Sequence, residues 1–326
     1  MRRLKGWMGA SLMPKIACVG ECMVELRKPK GGLYSRAFGG DTLNTAVYLA
    51  RLGVAVDYVT ALGDDSLSEE MIAGWAAEGI GTSRVARVPG KLPGLYLIET
   101  DEAGERRFFH WRDSSAARSL LDLPTTGEIL ESLGNYDLVY LSAITLSIFG
   151  ESGRARLLAA LASARRRGVR IAFDTNFRAR GWPDLEVARR VFREAFDVAD
   201  MTLASTEDLL PLYPGESAEA LFARIPGAEA VLKLAEPASI VRSGGVSHWL
   251  TAEPVDGPVV DTTAAGDSFA AAYVAARLAG AEPLEAARAG HRLAGVVVCH
   301  PGAIIPRSAM PVDLAFAAAA SQKVSP

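Results

Sequence analysis

The chain has 326 residues, of which 49% are hydrophobic and 22% are charged, and its formal net charge is −3. This composition predicts a folded globular protein with a substantial core and argues against intrinsic disorder. So small a net charge gives no general attraction to nucleic acids or to anionic membranes, and no apolar run is long enough for a transmembrane segment. Three cysteines (Cys18, Cys22 and Cys299) cannot all pair, which favours a reducing, cytoplasmic location.

Residues 1–13 precede the first predicted strand and differ from the rest of the chain. They begin with a basic stretch, as signal peptides do, but their apolar part is short and is interrupted by Gly6 and Gly9. We therefore expect a disordered N-terminal extension, with Met13 as an alternative start of translation.

Short apolar runs alternate with segments of helical periodicity along most of the chain. We predict strands at 15–20, 56–62, 138–142, 170–174, 201–204 and 230–234. Helices are predicted at 46–52, 68–78, 152–167, 185–196, 206–212 and 218–225. Such alternation predicts an α/β fold: a three-layer α/β/α sandwich whose mainly parallel central sheet is covered by helices on both faces.

Two stretches do not follow this alternation. Residues 25–38 are polar and glycine-rich with short apolar alternation, and residues 85–112 alternate with period two. Within the second stretch, 95–100 and 106–111 predict a hairpin. We expect the two stretches to form a small β-sheet over the carboxyl ends of the parallel strands, where α/β proteins bind ligands, and so to act as a lid.

A turn of small residues follows a short apolar run at 258–260, which we interpret as a strand, and precedes a predicted helix at 269–278. Backbone N–H groups in the first turn of a helix have no intrahelical partner, and together with the helix dipole they form an anion site. An aspartate at such a site, Asp267, suits a base that takes a proton from a hydroxyl attacking a phosphate. The alternative is an ordinary acidic residue at a helix N-terminus.

Several well-known catalytic patterns are missing from the sequence. It contains no Walker-type phosphate loop, no Gly-x-Gly-x-x-Gly after the first strand, no His-Glu-x-x-His and no Gly-x-Ser-x-Gly. These absences disfavour a Walker-type NTPase, a typical Rossmann dehydrogenase, a zinc protease and a serine hydrolase.

The segment 261–269 (DTTAAGDSF) resembles the C-terminal signature of the ribokinase-like (PfkB) carbohydrate kinases, and 39–46 (GGDTLNTA) with 50–53 (ARLG) resembles the N-terminal one. The resemblance implies a ribokinase-like kinase domain at 14–311 and a C-terminal tail at 312–326. Five segments further resemble the subfamily that phosphorylates the 6-hydroxyl of the sugar acid 2-keto-3-deoxygluconate with ATP. They are 19–26 (VGECMVEL), 39–44 (GGDTLN), 92–96 (LPGLY), 174–178 (DTNFR) and 302–307 (GAIIPR).

The resemblance also implies roles for individual residues. Asp267 is the expected catalytic base, and the N–H groups of Ala264, Ala265 and Gly266 form an anion hole for the transferred phosphate, with Mg²⁺ neutralising ATP. The expected sugar-binding residues are Gly39, Gly40, Asp41, Asn44, Tyr96, Arg112 and Arg178. The expected nucleotide-binding residues are Ser205, Lys233, Ala235, Gly266 and His291, the last with helix packing as the alternative.

The two arginines agree with the chemistry of a sugar acid. A carboxylate substrate needs a cation, best an arginine fork, and a neutral-sugar kinase needs neither Arg112 nor Arg178. The alternative is that both are solvated surface charges.

The chain departs from the family pattern at three places. Ala264 stands where glycine is common, which is tolerable if its φ is negative. The usual Asn-x-x-Glu near the magnesium becomes Ser-Thr-Glu-Asp at 205–208, so Asp208 is the candidate metal ligand. The segment 233–238 (KLAEPA) lacks the usual glycines and looks shortened, which puts nucleotide binding in question.

Three matters stay open at this stage. Two alternative functions are possible: the protein is a kinase for another sugar, such as ribose or fructose, or it binds a sugar acid without catalysis. A monovalent cation such as K⁺ is a further cofactor that some members of the family require. Exposed strand edges of the lid favour a homo-oligomer.

Overall fold

The structure is a computed structural model that describes residues 14–28, 32–100, 106–255 and 257–314. The predictions for residues 1–13, for the turn of the lid hairpin at 101–105 and for most of the C-terminal tail, 315–326, lie outside these ranges. Among the described residues, no helix combines the length and apolar character needed to cross a membrane.

Thirteen strands are present in the described ranges. They are β1 Lys15–Val19, β2 Met23–Arg27, β3 Ser35–Gly39, β4 Ala55–Leu62, β5 Val85–Arg87, β6 Gly94–Thr100, β7 Arg106–Trp111, β8 Leu138–Ser142, β9 Arg170–Asp174, β10 Met201–Ser205, β11 Ala230–Lys233, β12 Ala238–Ser243 and β13 Val246–Thr251.

The helices in the same ranges are α1 Asp41–Arg51, α2 Ser66–Ala77, α3 Thr126–Ser132, α4 Ala143–Ile148, α5 Glu151–Arg166, α6 Leu185–Val198, α7 Thr206–Leu209, α8 Ala218–Ala223, α9 Ala265–Leu278 and α10 Pro283–Val298. Short 3₁₀ turns lie at Ala116–Asp122, Leu133–Asn135, Ala179–Gly181, Arg307–Ala309 and Val312–Leu314.

Nine strands form one large sheet in the order β13-β12-β11-β10-β9-β8-β1-β4-β5. From β11 to β5 all neighbours are parallel, and the hairpin of β12 and β13 adds two antiparallel strands at one edge. Within β1, Ala17 and Val19 pack into one core cluster while Ile16 and Cys18 pack into a second cluster. Such burial on both faces explains why the strand is an unbroken apolar run, and it confirms the predicted three-layer α/β/α fold.

The remaining four strands form a separate smaller sheet in the order β3-β2-β6-β7. In it β2 and β6 are parallel, whereas β3 and β7 are antiparallel to their neighbours. The expected separate sheet is therefore present, with one difference in its boundaries. Strand β5 at Val85–Arg87 pairs with β4 in the large sheet, so only the later part of 85–112 joins the smaller one.

Two further expectations were wrong. Residues 258–260 are not a strand but an exposed loop, held where the backbone N–H of Val260 donates to the carbonyl of Val298 at 2.8 Å. Helix α1 begins at Asp41 rather than at residue 46, directly after Gly40. Neither pattern could be read from periodicity, because a three-residue apolar run fits a loop as well as a strand, and polar residues in a first helical turn hide where the helix begins.

Candidate active site

An open cleft of about 2490 Å³ lies at the carboxyl ends of the parallel strands. It is lined by residues that follow β1, β9, β10 and β11, by the first turn of α9, and by residues of β6 and β7 from the smaller sheet. Open parallel sheets bind ligands at this edge. The volume exceeds the roughly 300–1,000 Å³ that is typical of a site for one small ligand.

The turn before α9 has an unusual backbone. Ala264 precedes the helix with φ 60° and ψ 16°, in the left-handed region, and it is the only non-glycine residue with positive φ in the described ranges. Ala264 therefore does not meet the condition, a negative φ, under which an alanine is tolerated at this position without strain. An alanine in this region costs about 1–2 kcal/mol. A strained turn is retained only where the surrounding structure imposes it, which is common at functional sites.

Asp267 lies in the first turn of α9 and lines the cleft. Its Oδ2 accepts a hydrogen bond from Nδ2 of Asn44 at 2.8 Å. Burial and, next, the negative charge of Asp41 raise the pKa of Asp267 to about 8, and the hydrogen bond from Asn44 opposes that rise. A carboxyl group whose pKa lies this close to neutral is suited to accept a proton during a reaction.

Asp41 belongs to a polar network on the floor of the cleft. Its Oδ2 accepts a hydrogen bond from Nδ2 of Asn176 at 2.9 Å, and Nζ of Lys233 lies 3.5 Å from Oδ2 of Asp174. Burial raises the pKa of Asp174, and the ammonium of Lys233 opposes that rise. The network thus places two more carboxylates and one cation beside Asp267.

The two glycines of the N-terminal signature are required by close contacts. A Cβ at Gly39 would lie 2.2 Å from the hydroxyl oxygen of Tyr96, and one at Gly40 would lie 2.2 Å from the backbone oxygen of Glu21. Both distances are well below van der Waals contact. Gly39 therefore leaves room for Tyr96 within the smaller sheet, and Gly40 lets α1 begin close to the segment that follows β1, whichever ligand the cleft holds.

The smaller sheet contributes an aromatic pair to the cleft. The hydroxyl of Tyr96 donates a hydrogen bond to Oε2 of Glu25, and the ring of His110 stacks on Tyr96 with centroids 6.0 Å apart. Burial, together with the positive charges of Arg112 and Arg180, lowers the pKa of His110. This region of the cleft is therefore rich in cationic groups.

Arg112 and Arg178 reach the cleft from different segments and differ in their surroundings. Arg112 forms an ion pair with the buried carboxylate of Glu21, which also accepts a hydrogen bond from the hydroxyl of Ser115 at 2.5 Å. Nε of Arg112 is buried and has no partner in the described part of the chain. The side chain of Arg178 is 58% exposed and forms an ion pair with Asp208 at 3.3 Å.

The opposite side of the cleft contains the residues expected to bind a nucleotide. Nε2 of His291 lies 2.9 Å from the hydroxyl of Ser239, and the ring packs edge-on against Phe269 with centroids 5.0 Å apart. Burial lowers the pKa of His291 to about 4, so it is neutral at physiological pH. The shortened segment forms the tight hairpin between β11 and β12, where the backbone N–H of Leu234 donates to the carbonyl of Ala238 at 2.9 Å.

The segment 205–208 is occupied by local contacts. Ser205 caps α7, and its hydroxyl accepts a hydrogen bond from the backbone N–H of Asp208 at 3.1 Å. The carboxylate of Asp208 accepts hydrogen bonds from Thr175 and from the backbone of Phe177. Glu207, by contrast, is exposed and lines the cleft. Within the described ranges, no group of three or more His, Cys, Asp or Glu side chains could hold a metal ion.

Comparisons with known proteins identify the family of this chain. A family model described as pfkB family carbohydrate kinase matches residues 13–310. The chain belongs to this family. It is 42% identical over 307 residues to 2-dehydro-3-deoxygluconokinase of Escherichia coli strain K12, and the aligned region covers 91% of this chain and 99% of the relative. It is 36% identical over 310 residues to the enzyme of the same name from Haemophilus influenzae, covering 91% and 98%.

Solved structures support the ribokinase-like fold of this carbohydrate kinase. The 2-dehydro-3-deoxygluconokinase of Thermotoga maritima superposes with a TM-score of 0.79 at 23% identity, covering 94% of this chain and 99% of that one. A fructokinase with bound ATP from Xylella fastidiosa gives 0.78 at 20% identity, covering 96% and 100%.

In this pfkB-family kinase, the cleft brings together nearly all the residues predicted from the sequence. They are Gly40, Asp41, Asn44, Tyr96, Arg112, Arg178, Ser205, Asp208, Lys233, Ala235, Ala264, Ala265, Gly266, Asp267 and His291. Gly39 does not line the cleft, and its contact is with Tyr96.

Sequence reasoning missed functional candidates that the fold brings into the cleft. The sequence could have indicated Asp174 and Asn176, because Asp174 ends the apolar strand β9 and Asn176 lies just after it, at the ligand-binding edge of a parallel sheet. The indication for His110 was weaker, since alternation along β7 placed it on the same face of the hairpin as Tyr96. No sequence pattern distinguished Glu207 from the neighbouring Asp208 as a candidate metal ligand.

Proposed function

We propose that this chain is a kinase that transfers the γ-phosphoryl group of ATP to the 6-hydroxyl of 2-keto-3-deoxygluconate. The observation that carries the proposal is a single cleft that holds Asp267 and the turn at 264–266 together with two arginines, Arg112 and Arg178. The names of relatives that are 36–43% identical over about nine-tenths of this chain support the same substrate.

Asp267 is the proposed catalytic base. As the oxygen of the 6-hydroxyl attacks the γ-phosphorus, its proton passes to the carboxylate of Asp267, and the bond from phosphorus to the β,γ-bridging oxygen breaks to release ADP. Asn44 fixes the carboxylate through its hydrogen bond at 2.8 Å. The N–H groups of Ala264 and Gly266 are the proposed anion hole for the transferred phosphate, whereas the third expected donor, the N–H of Ala265, already donates to the carbonyl of Thr262 at 3.2 Å.

Arg112 and Arg178 are the proposed partners of the sugar's carboxylate, because guanidinium groups match carboxylates in charge and in geometry. Asp41 and Asn44 are proposed to bind sugar hydroxyls. Tyr96 is proposed to cover the sugar from the smaller sheet, where Gly39 leaves room for its hydroxyl, while Gly40 lets α1 begin close to Glu21. The smaller sheet in this view is a lid.

On the opposite side of the cleft we propose ATP, with Ser205, Lys233, Ala235, Gly266 and His291 around it. Magnesium usually binds through substrate phosphates and one or two carboxylates, and it neutralises the phosphates during transfer. The exposed carboxylate of Glu207 fits that role better than Asp208, whose oxygens already accept hydrogen bonds. A requirement for K⁺ remains a hypothesis that ion substitution in the assay would test.

Two properties of the whole protein are also proposed. Phe109 and Trp111 on the smaller sheet are 41% and 59% exposed, which supports a homo-oligomer formed through this sheet. The three cysteines are all free, which supports a reducing, cytoplasmic location.

The test is an ADP-release assay with ATP, Mg²⁺ and either 2-keto-3-deoxygluconate, ribose or fructose. We expect turnover of the keto-deoxy acid and at least a hundredfold lower kcat/KM for the neutral sugars. A neutral sugar offers no carboxylate to Arg112 and Arg178, and each hydrogen bond to a charged group contributes about 1.5–3 kcal/mol. If the protein phosphorylates the neutral sugars but not the keto-deoxy acid, the proposed substrate is wrong. Binding of the acid without any turnover would favour a non-catalytic protein and implicate the shortened hairpin at 235–237.

A further inference from the structure

Asp208 stands at the position where the family pattern suggests an acid near the magnesium, yet its contacts point elsewhere. Its Oδ2 accepts a hydrogen bond from the hydroxyl of Thr175 at 2.9 Å. Its Oδ1 accepts hydrogen bonds from the backbone N–H of Phe177 at 3.0 Å and from Nη1 of Arg178 at 3.3 Å. All three contacts belong to one segment, 175–178, which carries a proposed sugar-acid ligand.

The fold imposes this arrangement. Strands β9 and β10 are parallel neighbours, with Leu203 opposite Asp174, so the segments that follow them leave the sheet side by side. Ser205 caps α7 and binds the backbone N–H of Asp208, which fixes the orientation of that residue. The side chain of Asp208 is only 8% exposed, and a buried carboxylate is stable only when hydrogen bonds and a cation compensate it.

The same contacts fix the guanidinium of Arg178. Its Nη1 donates to two acceptors, the carbonyl of Phe177 at 2.7 Å and Oδ1 of Asp208. In the described ranges, no residue accepts a hydrogen bond from Nε or Nη2, and the side chain lines the cleft. One nitrogen is therefore anchored while the opposite edge of the fork stays available, and that edge can bind a carboxylate through two parallel hydrogen bonds.

A metal role is disfavoured by the same geometry. A carboxylate offers about four acceptor positions, and Asp208 uses three of them within the chain. A divalent cation at Asp208 would also lie close to the guanidinium of Arg178, and the two positive charges would repel each other.

We propose that Asp208 is a positioning residue that holds Arg178 in the orientation needed to bind the carboxylate of the sugar acid, rather than a magnesium ligand. This inference rests on the proposed function, because it takes Arg178 as a ligand of the substrate.

The test is a double-mutant cycle with Asp208→Asn, Arg178→Ala and the double variant, in which KM for the keto-deoxy acid and kcat are measured at saturating MgATP. An asparagine oxygen still accepts from Arg178, but without its charge it holds the guanidinium less tightly. We therefore expect D208N to raise KM about tenfold with kcat changed less than threefold, and we expect the double variant to match R178A. The half-saturating Mg²⁺ concentration should stay within twofold of wild type. An effect of D208N that persists in the R178A background, or a large rise in the Mg²⁺ requirement at unchanged KM, would overturn the proposal.

Thr175→Val is the matched control, because it removes a hydrogen bond to the same carboxylate without touching the anchor of Arg178. It should lower Tm and leave KM for the acid unchanged, whereas a rise in KM equal to that of D208N would show a merely structural role. Should D208N not fold, Asp208→Glu decides, because it keeps the charge but displaces the oxygen that anchors Arg178. We expect KM for the acid to rise at an unchanged Mg²⁺ requirement, and an unchanged KM with an altered Mg²⁺ requirement would overturn the inference.

The failure of the proposed function has a different signature. If R178A leaves KM for the acid unchanged, Arg178 is not a substrate ligand and the carboxylate part of the proposed function is wrong. If R178A raises KM and D208N does not, only the positioning role is wrong.

Discussion

Replacing the proposed base by its neutral isostere, Asp267→Asn, should greatly lower kcat and should stabilise the protein at alkaline pH. Loss of a general base lowers kcat by about 10²–10⁴-fold. Asparagine keeps an oxygen that can accept the hydrogen bond from Asn44, so the geometry of the turn should be retained. The kinetic and the stability effects therefore have opposite signs.

The sign of the stability effect follows from the pKa. In the folded protein burial and the charge of Asp41 raise the pKa of Asp267 from 3.8 to about 8. The folded state thus holds the proton more tightly than the unfolded state does, so the favourable contribution is complete below about pH 4 and is lost as pH rises through about 8. Asparagine copies the neutral form, and its advantage over the wild type should grow across this range and then level off.

The magnitude can be bounded from the same shift. A difference of about 4 pKa units at 1.36 kcal/mol each sets a ceiling of about 5 kcal/mol. Because Asp267 borders an open cleft, water stabilises the charged form, and we expect a gain of roughly 1–3 kcal/mol at pH 9.

Urea unfolding of both proteins at pH 5, 7 and 9 measures this difference. Glu207→Gln, which removes an exposed carboxylate from the same cleft, measures the effect of deleting one charge alone. A gain for D267N that is the same at all three pH values, or a loss of stability at pH 9, would refute the reasoning.

Three further substitutions test the site. Ala264→Gly relieves the strain of an alanine in the left-handed region but increases the entropy of the unfolded chain. We expect the free energy of unfolding to rise by up to about 1 kcal/mol with activity retained, and a lower Tm in thermal unfolding would contradict this. Asp41→Asn removes a charge that raises the pKa of Asp267, and the acid limb of the kcat–pH profile should move to lower pH, whereas an unmoved limb would exclude the coupling. Gly40→Ala places a Cβ 2.2 Å from the backbone oxygen of Glu21, and we expect it to lower the free energy of unfolding by about 1–3 kcal/mol in the same assay. Unchanged stability would show instead that the turn can shift to make room for the methyl group.

Local patterns in the sequence determined the fold class and the position of the reactive turn. Each parallel strand, such as Arg170–Asp174, is a short apolar run, and each helix has its own period, so the α/β alternation needs no long-range information. The small residues around Asp267 likewise predict a helix N-terminus that suits an anion, because the physics of that turn lies within a few residues.

Tertiary structure decided what depends on pairing between distant segments. Strand Val85–Arg87 has too few residues to specify its neighbour, and it joins the large sheet only because Ala55–Leu62 offers a free edge there. Ala264 adopts a positive φ that its own preference disfavours, since packing of α9 in the core outweighs about 1–2 kcal/mol of local strain.

The roles of the polar residues in the cleft were also decided at this level. The sequence could predict Arg178 and Asp208 separately as site residues, but it could not predict their ion pair, which forms because β9 and β10 are neighbours in the sheet. A carboxylate's function depends on which groups surround it, and those groups come from residues about 30 positions away in the chain. The sequence by itself therefore determined which residues have reactive groups, and the packing of the strands determined which of those groups face a substrate and which hold one another.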